Sequence, residues 1–180
     1  MHDGVAEASA YGSAPRMKRK WARALGVAAA VVALDQITKA IVASRMALHE
    51  SIPVIGGCFA LTYVRNTGAA FGIFAGRLFA FRMPFFLAIS ALAVLLLLWF
   101  LRTLPAERRG VVVACGAVIG GAIGNMIDRI TYGEVIDFLD VFVGTYHWPA
   151  FNIADAAITL GVLVLCLDAL RQPEASRALS

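Results

Sequence analysis

Four long apolar stretches leave this chain few ways to fold. They run over about residues 21–46, 85–101, 111–128 and 150–170. Each is close to the length that an α-helix needs to cross ~30 Å of hydrocarbon. Of the 180 residues, 60% are hydrophobic and 16% are charged, whereas about a quarter are charged in an ordinary soluble domain. The sequence therefore predicts an all-α membrane protein with four transmembrane helices.

Basic residues cluster around these stretches at three places. Five lie within residues 16–23, three within residues 102–109, and Arg171 follows the fourth stretch. Because cytoplasmic segments of membrane proteins are enriched in Lys and Arg, all three places are expected inside. Both termini are then cytoplasmic, and the other two connections face outward.

The rest of the chain is expected to form one small domain with two tails. Residues 1–15 are rich in Ala, Ser and Gly, which predicts a disordered N-terminal tail. Residues 172–180 are expected to form a C-terminal tail. Residues 16–171 then make up a single four-helix domain.

Residues 47–84 are broken into short pieces by glycines and a proline. The β-branched and aromatic run at 59–64 predicts a strand, residues 65–68 a turn, and residues 69–74 a returning strand. Residues 73–84 alternate aromatic and basic side chains, which is typical of the headgroup layer. We expect a small β-cradle with an interfacial segment on the periplasmic side. An ordinary ordered loop is the alternative.

The cysteines and histidines do not suggest a metal site. Cys58, Cys115 and Cys166 fit no metal-binding spacing, and two of them, Cys115 and Cys166, are expected to be small core residues. The three histidines, including His147, are isolated in sequence. No cofactor is expected, and no nucleic acid, since no basic face carries interleaved aromatics.

The segment from Gly120 to Asp155 holds four aspartates in otherwise apolar surroundings: Asp128, Asp137, Asp140 and Asp155. Ionisable groups are costly inside a membrane and usually functional there. Asp128 ends the third span and Asp155 begins the fourth, both on the outer side. Asp137 is expected in the surface loop between them. Asp140 is expected to be a solvated loop residue.

Two asparagines accompany these aspartates. Asn125 and Asn152 each precede an aspartate by three residues, so amide and carboxylate share one helical face. Asp155 also lies near a helix N-terminus, which favours its anionic form. Arg129 is expected to neutralise Asp128, which makes Asp128 a structural residue.

The first span contains Asp35, Gln36 and Lys39 in its outer half. Asp35 and Lys39 are four residues apart and are expected to pair. The pair either neutralises itself against the bundle interior or supports a polar site at the outer boundary.

Two carboxylates held together at an apolar boundary share one proton. One of them can then activate a water while the other protonates a carbonyl, which is aspartic proteolysis. Asp137 and Asp155 are the best candidates, because neither has a basic neighbour in sequence.

The chain resembles the lipoprotein signal peptidases, the type II signal peptidases of bacteria, over about residues 20–170. The matching blocks are Asp35-Gln36 with Lys39, residues 65–72 (RNTGAAFG), residues 120–129 (GGAIGNMIDR), Gly133 with residues 135–138 (VIDF), and residues 151–155 (FNIAD).

This resemblance implies an intramembrane aspartic endopeptidase of the bacterial inner membrane. Such enzymes cut prolipoproteins before a diacylglyceryl-modified cysteine and are blocked by globomycin-type antibiotics. We expect this chain to act as a monomer among membrane lipids. The resemblance assigns three sets of roles: catalysis to Asp137 and Asp155; substrate binding or support to Asn66, Asn125, Arg129 and Asn152; structural support to Asp35, Gln36, Lys39 and Asp128. The active site would face the periplasm.

Two other classes of function remain open from the residues alone. A small proton-coupled membrane carrier could use the same aspartates. However, the carboxylates crowd at one boundary, and the halves of the chain lack paired broken helices. A structural subunit or chaperone would not need a polar cluster of this density.

Overall fold

A computed structural model of the chain describes the backbone of residues 4–68 and 79–171, and side chains for residues 15–68 and 81–171. The predicted strand at 69–74 and the predicted C-terminal tail at 172–180 lie outside the described residues. So do the first three residues of the predicted N-terminal tail and most of the predicted interfacial segment at 73–84.

Four long helices dominate the described residues: α1 (Gly4–Arg45), α2 (Phe79–Thr103), α3 (Arg109–Tyr132) and α4 (Ile153–Arg171). All four are long and apolar enough to cross a membrane, α1 over its part Pro15–Arg45. The predicted all-α membrane protein with four spans is confirmed.

Helix α3 is the centre of the bundle. Of its most apolar stretch, 67% of residues are buried, against at most 22% in any other span. Its glycines allow this position, because a Cβ on Gly120 would lie 2.6 Å from the Ala28 carbonyl oxygen of α1. A Cβ on Gly121 would lie 2.4 Å from the Ala154 carbonyl oxygen of α4. Small residues thus bring three helix backbones together.

A small antiparallel sheet covers one end of the bundle. Its strands are β1 (Ser51–Ile55), β2 (Phe59–Asn66), β3 (Val135–Val143) and β4 (Tyr146–His147), in the order β1-β2-β3-β4. The predicted strand at 59–64 is confirmed as part of β2.

The predicted loop around Asp137 is wrong, because this segment is β3. The strand pairs with β2 along most of its length, and Asp137 lies opposite Val64. Apart from its two aspartates, the segment consists of β-branched, aromatic and leucine residues, a composition typical of strands. The connection between α3 and α4 therefore belongs to the sheet.

Asp140 is also not the solvated loop residue that the sequence suggested. It lies on β3 with 7% of its surface exposed. Its carboxylate accepts a hydrogen bond from Thr62 Oγ1 at 3.0 Å and lies 2.9 Å from His147 Nδ1. His147, isolated in sequence, is thus paired in space and also stacks on Phe142. These contacts join β2, β3 and β4.

The cysteines divide between the interior and the surface. Cys115 is buried in the bundle, as predicted, whereas Cys166 is exposed on α4 and is not a core residue. Cys58 is exposed in the turn between β1 and β2. Where the structure describes side chains, no three His, Cys, Asp or Glu residues are grouped closely enough to hold a metal ion.

Candidate active site

Asp137 is the third residue of β3, and 1% of its surface is exposed. Each of its carboxylate oxygens accepts a hydrogen bond from an asparagine side chain. Asn66 Nδ2 donates to Oδ2 at 2.9 Å, and Asn152 Nδ2 donates to Oδ1 at 2.7 Å. The orientation of the carboxylate is therefore set from two sides.

Asp155 lies in the first turn of α4. Asn125 Nδ2 donates to its Oδ1 at 2.7 Å, and the main-chain N–H of Asn152 donates to its Oδ2 at 3.3 Å. In return, the Asp155 N–H donates to Asn152 Oδ1 at 2.9 Å. This reciprocal pair has the pattern of a capping box, with Asn152 as the N-cap of α4. The helix start thereby positions Asp155.

Asn152 is the residue that both carboxylates share. It is fully buried, and its side-chain amide hydrogens are directed at Asp137 Oδ1 and Asn125 Oδ1, the latter at 3.1 Å. Its Oδ1 accepts a hydrogen bond from the Asp155 N–H. This contact fixes which end of the amide group is oxygen and which is nitrogen. One side chain thus ties the strand that bears one aspartate to the helix that bears the other.

Two further aspartates hold the residues that directly precede the site carboxylates. Asp35 Oδ1 accepts the Ala154 N–H at 2.9 Å, and Asp128 Oδ2 accepts the Ile136 N–H at 3.1 Å. Both aspartates are fully buried. The backbone on the N-terminal side of each site aspartate is therefore anchored to the bundle.

Lys39 balances the charge of these two anchors. Its ammonium lies 2.8 Å from Asp35 and 2.8 Å from Asp128, and it donates to Asn125 Oδ1 at 3.0 Å. The predicted Asp35–Lys39 pair is confirmed. Gln36 adds a hydrogen bond to Asp128 Oδ1 at 2.9 Å.

Arg129 does not neutralise Asp128, contrary to the prediction from their adjacency in sequence. The ion-pair partner of Asp128 is Lys39. The Arg129 side chain instead donates to the Asn125 carbonyl oxygen at 3.3 Å and stacks over the Phe86 ring at 4.9 Å. Adjacent residues on a helix point in different directions, so adjacency was a poor guide here.

Burial, and to a lesser extent the nearby charge of Asp155, raises the pKa of Asp137 to about 7. Hydrogen bonds from Asn66 and Asn152 and the charge of Lys39 lower the pKa but do not cancel the effect of burial. Near neutral pH the Asp137 carboxyl can therefore hold a proton or release it.

A cavity of about 470 Å³ opens beside Asp155. Its other lining residues are Trp148, Phe151, Ala156, Thr159 and Leu160. Such a volume lies within the roughly 300–1,000 Å³ typical of ligand sites. Its walls are mostly apolar, so an extended chain with apolar substituents fits beside the carboxylate.

The structure brings together nearly every residue that the sequence analysis assigned to the site. What the sequence did not reveal are Phe86 under Arg129 and the anchored N–H groups of Ile136 and Ala154. The double role of Asn152 could have been noticed, because an asparagine three residues before an aspartate at a helix start is a capping signal. The other contacts join residues far apart in sequence.

A profile of the family described as signal peptidase (SPase) II matches residues 27–171. The chain belongs to this family. The matched segment of the signal peptidase II family includes the four site residues Asn125, Asp137, Asn152 and Asp155, and also the supporting residues of α1 from Asp35 onward.

Individual relatives agree with the signal peptidase II assignment. The chain is 49% identical to the lipoprotein signal peptidase of Syntrophus aciditrophicus over 156 residues, which is 87% of this chain and 97% of the relative. It is 48% identical to that of Geobacter sulfurreducens over 139 residues, 77% and 86% of the two chains. These relatives are peptidases and give no support to a carrier.

Solved structures resemble the fold as well. A bacterial membrane enzyme determined by the in meso method at 1.9 Å resolution superposes with a TM-score of 0.75 at 36% identity, covering 83% of this chain and 93% of that one. A second such structure, at 2.3 Å resolution, gives a TM-score of 0.74 at the same identity and covers 83% and 88%.

Proposed function

We propose that this chain is an aspartic endopeptidase that removes signal peptides from prolipoproteins, with Asp137 and Asp155 as its catalytic pair. The observation that supports this most directly is that Asn152 hydrogen-bonds to both carboxylates. Two aspartates on different elements are thus held by one residue, and one of them, Asp155, lines an apolar cavity. The other two buried aspartates beside the site, Asp35 and Asp128, are instead both ion-paired with Lys39.

The chemistry follows from one proton shared between two carboxylates. The Asp137 carboxyl, with a pKa of about 7, can hold a proton near neutral pH. Ionised Asp155 accepts a proton from a water molecule, which attacks the scissile carbonyl carbon. Asp137 meanwhile gives its proton to the carbonyl oxygen. Collapse of the resulting gem-diol breaks the C–N bond, and a proton returns to the leaving amine.

The amide network prepares this step in advance. Asn66, Asn125 and Asn152 hold both carboxylates in a fixed orientation, so little reorganisation is needed when the substrate arrives. Arg129 and Asn66 lie at the edge of the site and are assigned to the substrate backbone or to support of the site. The anchors Asp35 and Asp128, with Gln36 and Lys39, serve as structural support.

The position of the site suits a lipid-modified substrate. Asp155 lies in the first turn of a span and Asp137 in the adjoining sheet, so both lie near the membrane boundary. A diacylglyceryl-cysteine keeps its acyl chains in the bilayer, which brings the bond before that cysteine to the same depth. The basic residues at the other end of the bundle favour cytoplasmic termini and a site that faces the periplasm. We further propose that the enzyme acts as a monomer and is blocked by globomycin-type lipopeptides.

Exchange of each catalytic aspartate for asparagine tests this proposal. Purified Asp137→Asn and Asp155→Asn are incubated in detergent with a diacylated prolipoprotein, and the product is followed by mass spectrometry. Each change removes acid–base chemistry of the kind that contributes about 10²–10⁴-fold, so cleavage should fall by at least that factor. Binding of a globomycin-type inhibitor should persist and show that the site is intact.

Asp140→Asn is the matched control, because Asp140 is a buried aspartate of the same strand but bonds to Thr62 and His147. It should retain most of the activity. If either catalytic variant cleaved at a rate close to that of the parent, or if Asp140→Asn were equally inactive, the assignment of the pair would be wrong.

A further inference from the structure

The end of the bundle opposite to the aspartates is strongly basic. It is formed by residues 16–23 of α1, the connection between α2 and α3, and the end of α4. Among the described side chains, this end carries nine basic residues but only two acidic ones, Glu107 and Asp168. The basic residues are Arg16, Lys18, Arg19, Lys20, Arg23, Arg102, Arg108, Arg109 and Arg171. The catalytic chemistry uses none of them.

A cavity of about 480 Å³ lies at this end, between the start of α3 and the end of α4. Three arginines line it: Arg108, Arg109 and Arg171. Its wall continues over apolar side chains of the two spans, namely Val111, Val164 and Leu167. The cavity is therefore basic at its mouth and apolar along the helices, as expected of a site that takes a charged head and a hydrocarbon chain.

The acidic residues of this region are already engaged. Asp168 is paired with Arg108, and Glu107 is paired with Arg16 at 3.0 Å. Among the described residues, the guanidinium groups of Arg109 and Arg171 have no ion-pair partner. Arg109 is the first residue of span α3 and Arg171 is the last residue of span α4. Both are therefore expected at the depth of the lipid phosphates.

A second cavity increases the positive potential at the first one. It has a volume of about 330 Å³ and shares Arg109 and Glu107 with its neighbour. Its remaining charged lining residues are all basic: Arg16, Arg19, Lys20 and Arg23. An anion beside Arg109 therefore also feels the positive charge of these four residues. Glu107 is the only acidic residue that lines this second cavity.

We propose that the cavity between α3 and α4 binds the phosphate group of an anionic phospholipid. Arg109 and Arg171 hold the phosphate oxygens, which guanidinium groups can contact through two parallel hydrogen bonds. An acyl chain lies along Val164 and Leu167 of α4. Basic pockets between membrane helices on the cytoplasmic side commonly bind such headgroups.

This lipid site is independent of the proposed proteolysis. Helix α3 has 24 residues and so separates the two ends by roughly 36 Å at ~1.5 Å per residue. The lipid would fix the depth and tilt of α3 and α4 at one end, while the aspartates lie at the other.

The test measures binding of single lipids to the purified full chain in an uncharged detergent, by native mass spectrometry. Phosphatidylglycerol and phosphatidylethanolamine with identical acyl chains are compared, with inorganic phosphate as a competitor. Phosphatidylglycerol should bind more tightly than phosphatidylethanolamine. The double variant Arg109→Gln/Arg171→Gln should bind it roughly 30-fold more weakly, at about fivefold for each basic residue near an anionic lipid.

Lys18→Gln/Arg102→Gln is the matched control, because it removes two charges from the same end but outside this cavity. It should change phosphatidylglycerol binding far less. Arg109→Lys/Arg171→Lys keeps the charge but loses the paired hydrogen bonds, so it should show an intermediate loss. Thermal unfolding and prolipoprotein cleavage in detergent should match the parent in all three variants, which shows that they fold.

Three results would overturn the proposal. Equal binding of the two lipids would remove the role of negative charge. An equal loss in Lys18→Gln/Arg102→Gln would reduce the effect to general attraction by a basic surface. Displacement of the lipid by inorganic phosphate at equal concentration would make this a phosphate site without a role for the acyl chain.

Discussion

Asn152 combines a structural and a chemical role that can be separated by mutation. Its oxygen caps α4 through the Asp155 N–H, and its nitrogen donates to Asp137. Asn152→Ala loses both contacts, and the lost cap alone should cost about 1 kcal/mol. Asn152→Ser retains a good N-cap, but its shorter side chain cannot reach Asp137. We expect thermal unfolding to be nearly normal in Asn152→Ser, whereas kcat should fall sharply in both variants. If Asn152→Ser had the kcat of the parent, the role of Asn152 would be limited to capping α4.

The raised pKa of Asp137 leads to a prediction for the pH dependence of cleavage. Because the pair needs one proton, and the pKa of Asp137 is about 7, kcat/KM should be highest below that pH. Above it, kcat/KM should fall by roughly tenfold per pH unit as the proton is lost. A pH–rate profile with an uncharged peptide around the scissile bond measures this. Asp140→Asn should show the same alkaline limb. A loss of activity that already begins near pH 4 as the pH is raised would refute the role given to Asp137.

At the scale of single residues, the sequence predicted which polar side chains lie together better than it predicted their supporting contacts. The aspartates and asparagines could be assigned because such groups are rare and costly in an apolar chain. The partner of Asp128 could not, because Lys39 is 89 residues away in the chain and only the packing of α1 on α3 brings them together. Arg129 was favoured for its adjacency, although no local pattern fixes which cation a buried carboxylate meets.

Helix α3 depends on the absence of side chains where it meets α4. A Cβ on Gly121 would lie 2.4 Å from the Ala154 carbonyl oxygen and 2.7 Å from Ile158 Cγ1. Gly121→Ala should therefore push the start of α4, with Asp155, away from α3 and lower both stability and cleavage. Gly110→Ala in the first turn of α3 is the matched control, since nothing lies within 4 Å of a Cβ there. It should be neutral or stabilise the helix by up to ~1 kcal/mol. Circular dichroism melts and cleavage assays distinguish the two variants, and equal behaviour would contradict the packing described here.

The elements differ in how far the sequence could predict them. The four helices can be predicted from the length of the apolar stretches alone, because a helix that crosses the bilayer needs about 20 apolar residues. The β-branched and aromatic residues of β2 predict a strand, whereas the sequence predicts a loop where its neighbour β3 lies. Two aspartates interrupt the apolar alternation of β3, and their burial depends on Asn66, Asn152, Thr62 and His147, which come from other elements.

Across the whole molecule, Lys39 links the helices to the sheet. Its ammonium forms ion pairs with Asp35 and Asp128, whose carboxylates also accept the N–H groups of Ala154 in α4 and Ile136 in β3. Lys39→Met should leave two buried carboxylates without a cation and cost about 3–5 kcal/mol. Thermal unfolding should show this loss together with reduced cleavage. The triple variant Lys39→Met/Asp35→Asn/Asp128→Asn keeps both hydrogen-bond acceptors without the charges and should recover much of the stability. If the single variant were as stable as the parent, charge balance would not be what holds this network together.

The native cysteines offer a test of how the whole molecule lies in the membrane. Cys58 is exposed in the turn of the sheet, Cys115 is buried, and Cys166 is exposed only on the apolar face of a span. A charged, membrane-impermeant maleimide should therefore react with Cys58 and with neither of the other two cysteines. It should do so only in right-side-out vesicles, because the sheet is expected on the periplasmic side. Cys58→Ser should abolish this labelling. A cysteine introduced in that background at Glu107, which is exposed at the opposite end, should react only in inverted vesicles. Labelling of Cys58 in inverted vesicles would reverse the topology. The proposed catalytic pair would then lie on the wrong side of the membrane for a prolipoprotein that has already been translocated.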